Sequence, residues 1–277
     1  MPRDIPLPSQ SEPAKVDLDA TEGRGAPARS DQTTDDERSE AATVTREGMG
    51  PTAGWVSAAI DELFGPRSDT VRRYVALLGS TGITHGLLGP REAERLWERH
   101  VLNCAALHLG IGQDLCVIDV GSGAGLPGLV LAIARPDLRV TLVEPLARRV
   151  AWLDAARVEL DLPNVTVRRA RAEALRGQLA APVVTARAVA PLARLASWCL
   201  PLVAPDGVLL AVKGSTASSE AQRDSAAIAA TGGRVARIVE YGGSMLPTPT
   251  TVVEIRASAP HRPPSTVRPR GRKRPRR

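Results

Sequence analysis

The chain has 277 residues, of which 43% are hydrophobic, enough apolar side chains for one packed core of domain size. It carries 36 Lys and Arg residues against 30 Asp and Glu residues, a formal net charge of +6. The cysteines Cys104, Cys116 and Cys199 form no close pair, which argues against a disulfide framework or a cysteine zinc site. The sequence shows neither a secretory signal nor a run of about 18 apolar residues. We therefore expect a cytoplasmic protein without a membrane span.

The two ends of the chain differ in charge. Residues 1–50 carry 11 acidic and 6 basic side chains and are rich in Ser, Thr, Pro and Gly, so we expect a disordered acidic leader over 1–52. Residues 262–277 carry 8 basic and no acidic side chains, and their prolines prevent a stable helix, so 261–277 is expected to be a disordered basic tail. Such a tail is either a solubilising end or an electrostatic clamp on nucleic acid.

Between the two ends, the apolar spacing changes from helical to mixed. Residues 53–110 are expected to form an N-terminal helical part, since Val71, Val75 and Leu78 recur at helical spacing, with a loop over 79–90. In residues 111–260, short β-branched runs alternate with helical stretches. Strands are predicted over 116–120, 139–144, 165–169, 183–187, 207–213, 234–240 and 250–256, and helices over 126–134, 147–160, 192–202 and 217–230. This alternation predicts an α/β fold with a mostly parallel seven-stranded sheet covered by helices on both faces.

A glycine-rich loop follows the first of these strands. The sequence from Val117 to Leu129 runs from an apolar strand through Gly121, Gly123 and further glycines into a helix. Glycines let the backbone approach a ligand closely, and the helix start adds unpaired N–H groups, so a nucleotide-like ligand is expected at Gly121 and Gly123. The loop also matches the dinucleotide pattern G-x-G-x-x-G, a weak signal by itself.

Two carboxylates bear on which cofactor binds. Asp119 stands two residues before Gly121, where a negative charge repels a pyrophosphate but suits a sulfonium cation, which favours S-adenosylmethionine over NAD. Glu144 ends the second strand, at the position where a carboxylate accepts ribose hydroxyl groups of either cofactor. An NAD-dependent oxidoreductase therefore stays open as the alternative at this point.

Further motifs resemble one bacterial family. The pieces, in chain order, are Glu98-Arg-His100, the D-V-G-S-G-A-G-L-P-G run from Asp119 to Gly128, L-V-E with R-R-V-A-W-L (142–153), R-A-E (171–173), A-R-A-V-A-P-L (186–192) and V-K-G (212–214). Together they resemble the small-subunit rRNA guanine-N7 methyltransferases, also called glucose-inhibited division protein B. The family commonly has Asp-Ser where this chain has Asn103-Cys104, so a carboxylate role on that helix is not expected here.

The resemblance implies a Rossmann-like class I methyltransferase. Such an enzyme transfers methyl from S-adenosylmethionine to N7 of a guanine in a decoding-region loop of 16S rRNA. By position, the resemblance implies that the cofactor is held by Gly121, Leu126, Ala172, Glu173 and Arg187. The partner of such an enzyme would be 16S rRNA or the small ribosomal subunit. We further expect a monomer without a metal. A non-catalytic RNA-binding module on the same fold stays open as a further alternative.

Methyl transfer to guanine N7 requires side chains that position the reactants. N7 already presents a lone pair, so methyl transfer needs alignment and no prior proton removal. The positioning candidates are Arg187 at the end of the fourth strand, Lys213 at the end of the fifth, and His100 one helical turn after Trp97. For Lys213 simple solvation is slightly favoured, and for His100 a satisfied interior histidine. RNA contacts are expected from the basic tail and from Arg72, Arg73, Arg148, Arg149, Arg168, Arg169 and Arg171.

Overall fold

The computed structural model describes residues 3–5, 51–187 and 190–257. The basic tail and residues 1–2 and 6–50 of the leader lie outside these ranges, so the predictions made for them are untested. The helices are α1 Pro51–Phe64, α2 Ser68–Leu77, α3 Leu102–Ala105, α4 Gly128–Ala134, α5 Ala147–Glu159, α6 Leu192–Cys199 and α7 Ala217–Ala230. The strands are β1 Arg3–Ile5, β2 Cys116–Val120, β3 Arg139–Glu144, β4 Val165–Arg169, β5 Ala181–Arg187, β6 Val203–Lys213, β7 Gly233–Tyr241 and β8 Thr250–Ala257.

The strands form one sheet in the order β1-β7-β8-β6-β5-β2-β3-β4. Strands β4, β3, β2, β5 and β6 are parallel neighbours, and β8 pairs antiparallel with both β6 and β7. The predicted mostly parallel seven-stranded sheet is thereby confirmed. The expected disorder of the leader is wrong for Arg3–Ile5, which add an eighth strand because the edge of β7 offers them an antiparallel pairing.

The sheet is buried on both faces, as the near-continuous apolar strands predict. One core cluster joins α4 and α5 to the N-terminal helices, and the other lies under α6 and α7. Ile60, Leu78 and Leu102 of the helical part are fully buried in the first cluster beside Leu129. The hydroxyl of buried Tyr74 donates to the carbonyl oxygen of Ala124 at 2.7 Å. The helical part therefore packs directly against the glycine loop.

The segment between α2 and α3 differs from the predicted loop. Leu78–Gly82 and Leu96–Val101 are wide helical turns, and Pro90–Arg95 is a tight one, so helical backbone extends into the region 79–90. Trp152 of α5 donates its indole N–H to Thr81 Oγ1 at 3.0 Å, which fixes this segment to the sheet layer. Within the described ranges, no helix is both long and apolar enough to span a membrane.

Candidate functional site

The glycine loop leaves β2 in a left-handed conformation. Gly121 and Gly123 have φ values of 72° and 56°, which residues with a Cβ atom rarely adopt. The N–H groups of Gly121 and Ser122 donate to the carbonyl oxygen of Val143 on β3, at 2.8 and 3.2 Å. The loop therefore turns over the carboxyl ends of β2 and β3, the edge where parallel α/β sheets bind ligands.

Glu144 holds this loop from the neighbouring strand. Its carboxylate is 2% exposed. Oε2 accepts from the N–H of Gly123 and Oε1 from the N–H of Leu146, both at 3.0 Å. The guanidinium of Arg149 lies 3.8 Å from Oε2. A carboxylate has about four lone-pair sites, so Glu144 keeps acceptor capacity for a ligand hydroxyl group while it fixes the loop.

Asp119 lies under the loop and not in a cavity. Its side chain is fully buried, and Oδ2 accepts from the N–H of Gly128 at 3.0 Å. Oδ1 is buried without a hydrogen-bond partner among the described residues. Burial raises the pKa of Asp119 to about 7, against the hydrogen bond from the N–H of Gly128, which lowers it. The carboxylate thus holds the start of α4 and does not line the cavity described below, so its predicted preference for a sulfonium stays a prediction.

A cavity of about 350 Å³ opens beside the loop, over the ends of β2, β3 and β4. Of the predicted cofactor residues, Gly121, Glu144, Ala172 and Glu173 line it, while Gly123 reaches it only through its hydrogen bond to Glu144. Leu126 does not line it and packs against the core. The sequence reasoning missed further lining residues, namely Val120, Val143, Pro145, Leu146, Arg149, Ala170, Arg171 and Trp198.

The lining of this cavity fits an adenosyl group. Val120, Val143 and Trp198 supply apolar surface for a base, and Glu144 supplies an acceptor for ribose hydroxyl groups. The volume falls within the range of about 300–1,000 Å³ that is typical of small-ligand sites. Trp198 belongs to α6, which lies far along the chain from the glycine loop. No sequence motif therefore marked it as part of the site.

Arg187 lies on β5, beside the cavity, and is fixed by one segment of the helical part. Its Nη1 donates to Cys104 Sγ at 3.0 Å, and its Nη2 contacts the carbonyl oxygen of Arg99 at 3.1 Å and His100 Nδ1 at 2.5 Å. It does not line the 350 Å³ cavity but a neighbouring one. The structure therefore places Arg187 in the lining of a second cavity, on the strand next to β2.

His100 links Arg187 to a carboxylate. Its Nε2 lies 2.6 Å from Glu92 Oε2, while its Nδ1 faces the guanidinium of Arg187. Burial lowers the pKa of His100, and the positive charge of Arg187 lowers it further, against the hydrogen bond to the carboxylate of Glu92, which raises it. A neutral ring that donates from Nε2 and accepts at Nδ1 satisfies both neighbours. His100 is thus a bonded, half-buried histidine that orients Arg187.

Lys213 is neither solvated nor free. Its ammonium group donates to the carbonyl oxygen of Ala190 at 2.9 Å and to Glu220 Oε2 at 2.8 Å. The same Glu220 oxygen accepts from the N–H of Leu192 at the start of α6. Lys213 is therefore an internal tie between β6, α7 and the segment after Arg187. The sequence analysis favoured a solvated side chain for Lys213 and kept contact with the RNA backbone as the alternative. The internal contacts of its ammonium group differ from both.

The arginines predicted to contact RNA are spread over several surfaces. Arg149 and Arg171 line the 350 Å³ cavity, and Arg73 donates to the carbonyl oxygen of Glu159. Arg168 and Arg169 are exposed at the end of the edge strand β4. Within the described residues, no group of three or more His, Cys, Asp or Glu side chains is placed to hold a metal ion.

Comparison with known proteins gives the family. The chain matches the family model GidB, described as rRNA small subunit methyltransferase G, over residues 67–246. The ribosomal RNA small subunit methyltransferase G of Salinispora arenicola is 51% identical over 229 residues, which cover 79% of this chain and 95% of that protein. The protein of the same name from Pseudarthrobacter chlorophenolicus is 50% identical over 204 residues, covering 74% of this chain and 94% of its own length.

Solved structures are also similar to the chain. The antibiotic-resistance methyltransferase Kmr aligns with a TM-score of 0.40 at 22% identity, over 56% of this chain and 93% of its own. The order of strands and the glycine loop after β2 agree with the class I methyltransferase fold expected from the sequence. On the match over residues 67–246 and the identity of about half the aligned positions, the chain belongs to the ribosomal RNA small subunit methyltransferase G family.

Proposed function

We propose that this protein transfers a methyl group from S-adenosylmethionine to N7 of a guanine in a decoding-region loop of 16S rRNA. The observation that carries the proposal is the 350 Å³ cavity beside the glycine loop in a chain of this family. Membership of the family makes the chain a methyltransferase of small-subunit rRNA, with 16S rRNA as its substrate. The NAD-dependent oxidoreductase reading loses its support with the family assignment.

We assign the cofactor contacts from the residues that line the cavity. Gly121 would let the ligand approach the backbone, and Glu144 would accept from the ribose hydroxyl groups. Ala172 would provide apolar surface for the adenine base, and Glu173 would lie at the exposed rim. Gly123 would act by holding Glu144. Leu126, packed against the core, would support the loop from beneath and not touch the ligand.

The reaction needs alignment of two partners. S-adenosylmethionine supplies, when bound, a methyl group on a positively charged sulfur. The chain supplies positioning, since guanine N7 needs no proton removed before attack. Arg187 would orient the incoming guanine from the second cavity, with His100 holding its guanidinium. Lys213 would fix the segment that follows Arg187 through Ala190. Catalysis would therefore rest on proximity and orientation, without a dedicated base.

The setting of the reaction completes the proposal. The protein would act in the cytoplasm, where ribosomal subunits are assembled, as a monomer without a resident metal. A basic tail over 261–277 would add phosphate contacts. These statements rest on the sequence and on the family.

The proposal can be tested with labelled S-adenosylmethionine and purified 30S particles that lack the modification. The expected product, after digestion to nucleosides, is 7-methylguanosine identified by mass spectrometry. Ala172→Leu should fill the cavity and abolish cofactor binding, whereas the control Ala174→Leu, on the same helical turn but exposed and outside the cavity, should keep it. Methyl transfer to a different atom, or none from the wild-type protein, would contradict the proposal, and cofactor binding without transfer would leave only an RNA-binding role.

A further inference from the structure

Two cavities meet on the far side of Arg187 from the cofactor cavity. The inner one, of about 540 Å³, includes Arg187, Lys213, Gly214 and Glu240 in its lining. The outer one, of about 480 Å³, is lined by Trp55, Arg95, Glu98, Arg99, Asn103, Leu246, Pro247 and Thr248. Both cavities share Arg99, Asn103 and Thr248 as walls. The two cavities therefore adjoin, and we name them together the edge groove.

The edge groove lies one strand away from the glycine loop. Val120, the last residue of β2, pairs with Ala186, the residue before Arg187. Arg187 pairs in turn with Val212 of β6, next to Lys213. Neighbouring strands lie about 4.8 Å apart, so the inner cavity begins about that distance from the loop. From β5 to β7 the inner cavity crosses three such spacings, or about 14 Å.

The charge of the edge groove suits a polyanion. Arg95 is exposed, and the side chain of Arg99 is 51% exposed, with a 3.5 Å ion pair to Glu92. An exposed ion pair of this kind contributes little to stability, so Arg99 can exchange it for a phosphate. Glu98 and Glu240 are the carboxylates in the lining. Arg95 lines the outer cavity, and Arg99 lines both cavities, together with Arg187 and Lys213 in the inner one.

The chemistry of the target decides between duplex and single strand. Guanine N7 lies on the major-groove edge of the base, and the major groove of A-form RNA is too deep and narrow for side chains to enter. An enzyme that modifies this atom must therefore take an unpaired or extruded guanine into a pocket. The inner cavity has the volume of a small-ligand site, and Arg187 in its lining belongs to the strand next to β2.

We propose that the edge groove binds single-stranded RNA, with the target guanosine in the inner cavity and the backbone of a neighbouring nucleotide along Arg95 and Arg99. This inference rests on the proposed function and adds to it the path of the RNA. It also adds two residues, because neither Arg95 nor Arg99 is among the arginines that the sequence analysis expected to contact RNA. The tight turn that ends at Arg95 and the wide turn that contains Arg99 were not predicted from the sequence.

The inference is tested with two variants of the full-length protein. Arg95→Ala removes an exposed cation from the outer cavity. Gly214→Leu places a side chain in the inner cavity, where a Cβ atom on Gly214 meets no atom within 4 Å, so the fold is expected to tolerate it. The controls are Arg234→Ala, at the opposite end of β7, and Gly89→Leu, whose Cβ atom also meets no atom within 4 Å.

Binding is measured with a short guanine-containing single-stranded RNA and with the duplex that it forms with its complement. Arg95→Ala should lower the slope of log Kd against log salt by about 0.7 for each phosphate contact that is lost. Gly214→Leu should lower kcat/KM for 30S particles by about ten-fold or more, since overfilling a site is costly. Both variants should keep the wild-type affinity for S-adenosylhomocysteine, and the wild type should bind the single strand more tightly than the duplex.

The possible results separate this inference from the proposed function. If Arg95→Ala and Gly214→Leu both behave like their controls while the wild type methylates 30S particles, the edge groove is not the RNA path and the proposed function stands. Tighter binding of the duplex would overturn the inference as well. If the wild type transfers no methyl group but Arg95→Ala still lowers the salt dependence of RNA binding, the proposed function fails and the groove remains an RNA site.

Discussion

Replacing Asp119 with Asn should change how the stability of the protein depends on pH. Burial raises the pKa of this carboxyl group from 3.8 to about 7 in the folded state. The folded state therefore binds more protons than the unfolded state between these two values, and the free energy of unfolding falls as the pH rises through that window. The loss is complete above the folded-state pKa and absent below 3.8. The two pKa values correspond to about 4 kcal/mol.

Asn can still accept the hydrogen bond from Gly128 but has no proton to lose. The free energy of unfolding of Asp119→Asn, relative to the wild type, should therefore increase by about 4 kcal/mol between pH 4 and pH 8. In a domain of this size that corresponds to a relative change in Tm of about 8–16 °C. Urea unfolding followed by circular dichroism at a series of pH values measures it. Any constant penalty from the new amide cancels in the difference.

Asp137 provides the matched control. The hydrogen bond from Arg135 lowers the pKa of Asp137 to about 2, so its contribution to stability is complete above 3.8 and is lost only as the pH falls toward 2. Asp137→Asn should therefore show a destabilisation that is constant between pH 4 and pH 8. If Asp119→Asn also differs from the wild type by a constant amount over this range, the carboxyl group does not retain its proton in the folded state and the reasoning is refuted.

Other predictions concern packing and positioning. Gly128→Ala places a Cβ atom 2.3 Å from a leucine side chain and should destabilise the fold by about 1–3 kcal/mol in thermal melts, while Gly89→Ala, with no atom within 4 Å, should melt like the wild type. Arg187→Lys cannot keep the three contacts of the guanidinium, so kcat/KM should fall by about 10- to 100-fold; an unchanged value would exclude a positioning role. Lys213→Met removes the ammonium group from Glu220, whose carboxylate keeps the hydrogen bonds from Leu192 and Thr216, and should cost about 1–3 kcal/mol in urea unfolding, which loss of a solvated lysine would not. Trp198→Phe should remove the fluorescence response to S-adenosylhomocysteine, and a response that persists would place the cofactor elsewhere.

Much of the sheet could be predicted because its strands carry their burial in the sequence. β2 and β5 are nearly continuous apolar runs, which is typical of strands covered on both faces. The pairing of Arg3–Ile5 could not be foreseen, since a polar leader segment gains its place only from the free edge of β7. Backbone hydrogen bonds at a sheet edge do not depend on hydrophobic pattern, so sequence reasoning had no signal for them.

Some residues that line the candidate cavity could be predicted from the sequence, and others could not. Gly121 and Glu144 follow from local rules, because a loop and a strand end are set by their own neighbours in sequence. The surroundings of Asp119 and Lys213 are decided by tertiary packing, which buried the first and tied the second to Glu220. The same holds for Trp198, which reaches the cavity from α6. Reasoning from charge alone therefore could not predict the surroundings of side chains whose neighbours come from distant parts of the chain.

The anchoring of Arg187 has a consequence for how the protein can be divided. All of its described guanidinium contacts are with residues 99–104, which precede the sheet in the chain, while its backbone belongs to β5. A fragment that starts at β2 would keep every parallel strand and the glycine loop, yet lose the partners that hold this side chain in place. Grafting the helical part of a relative onto this sheet would likewise have to carry over residues 99–104 as a unit.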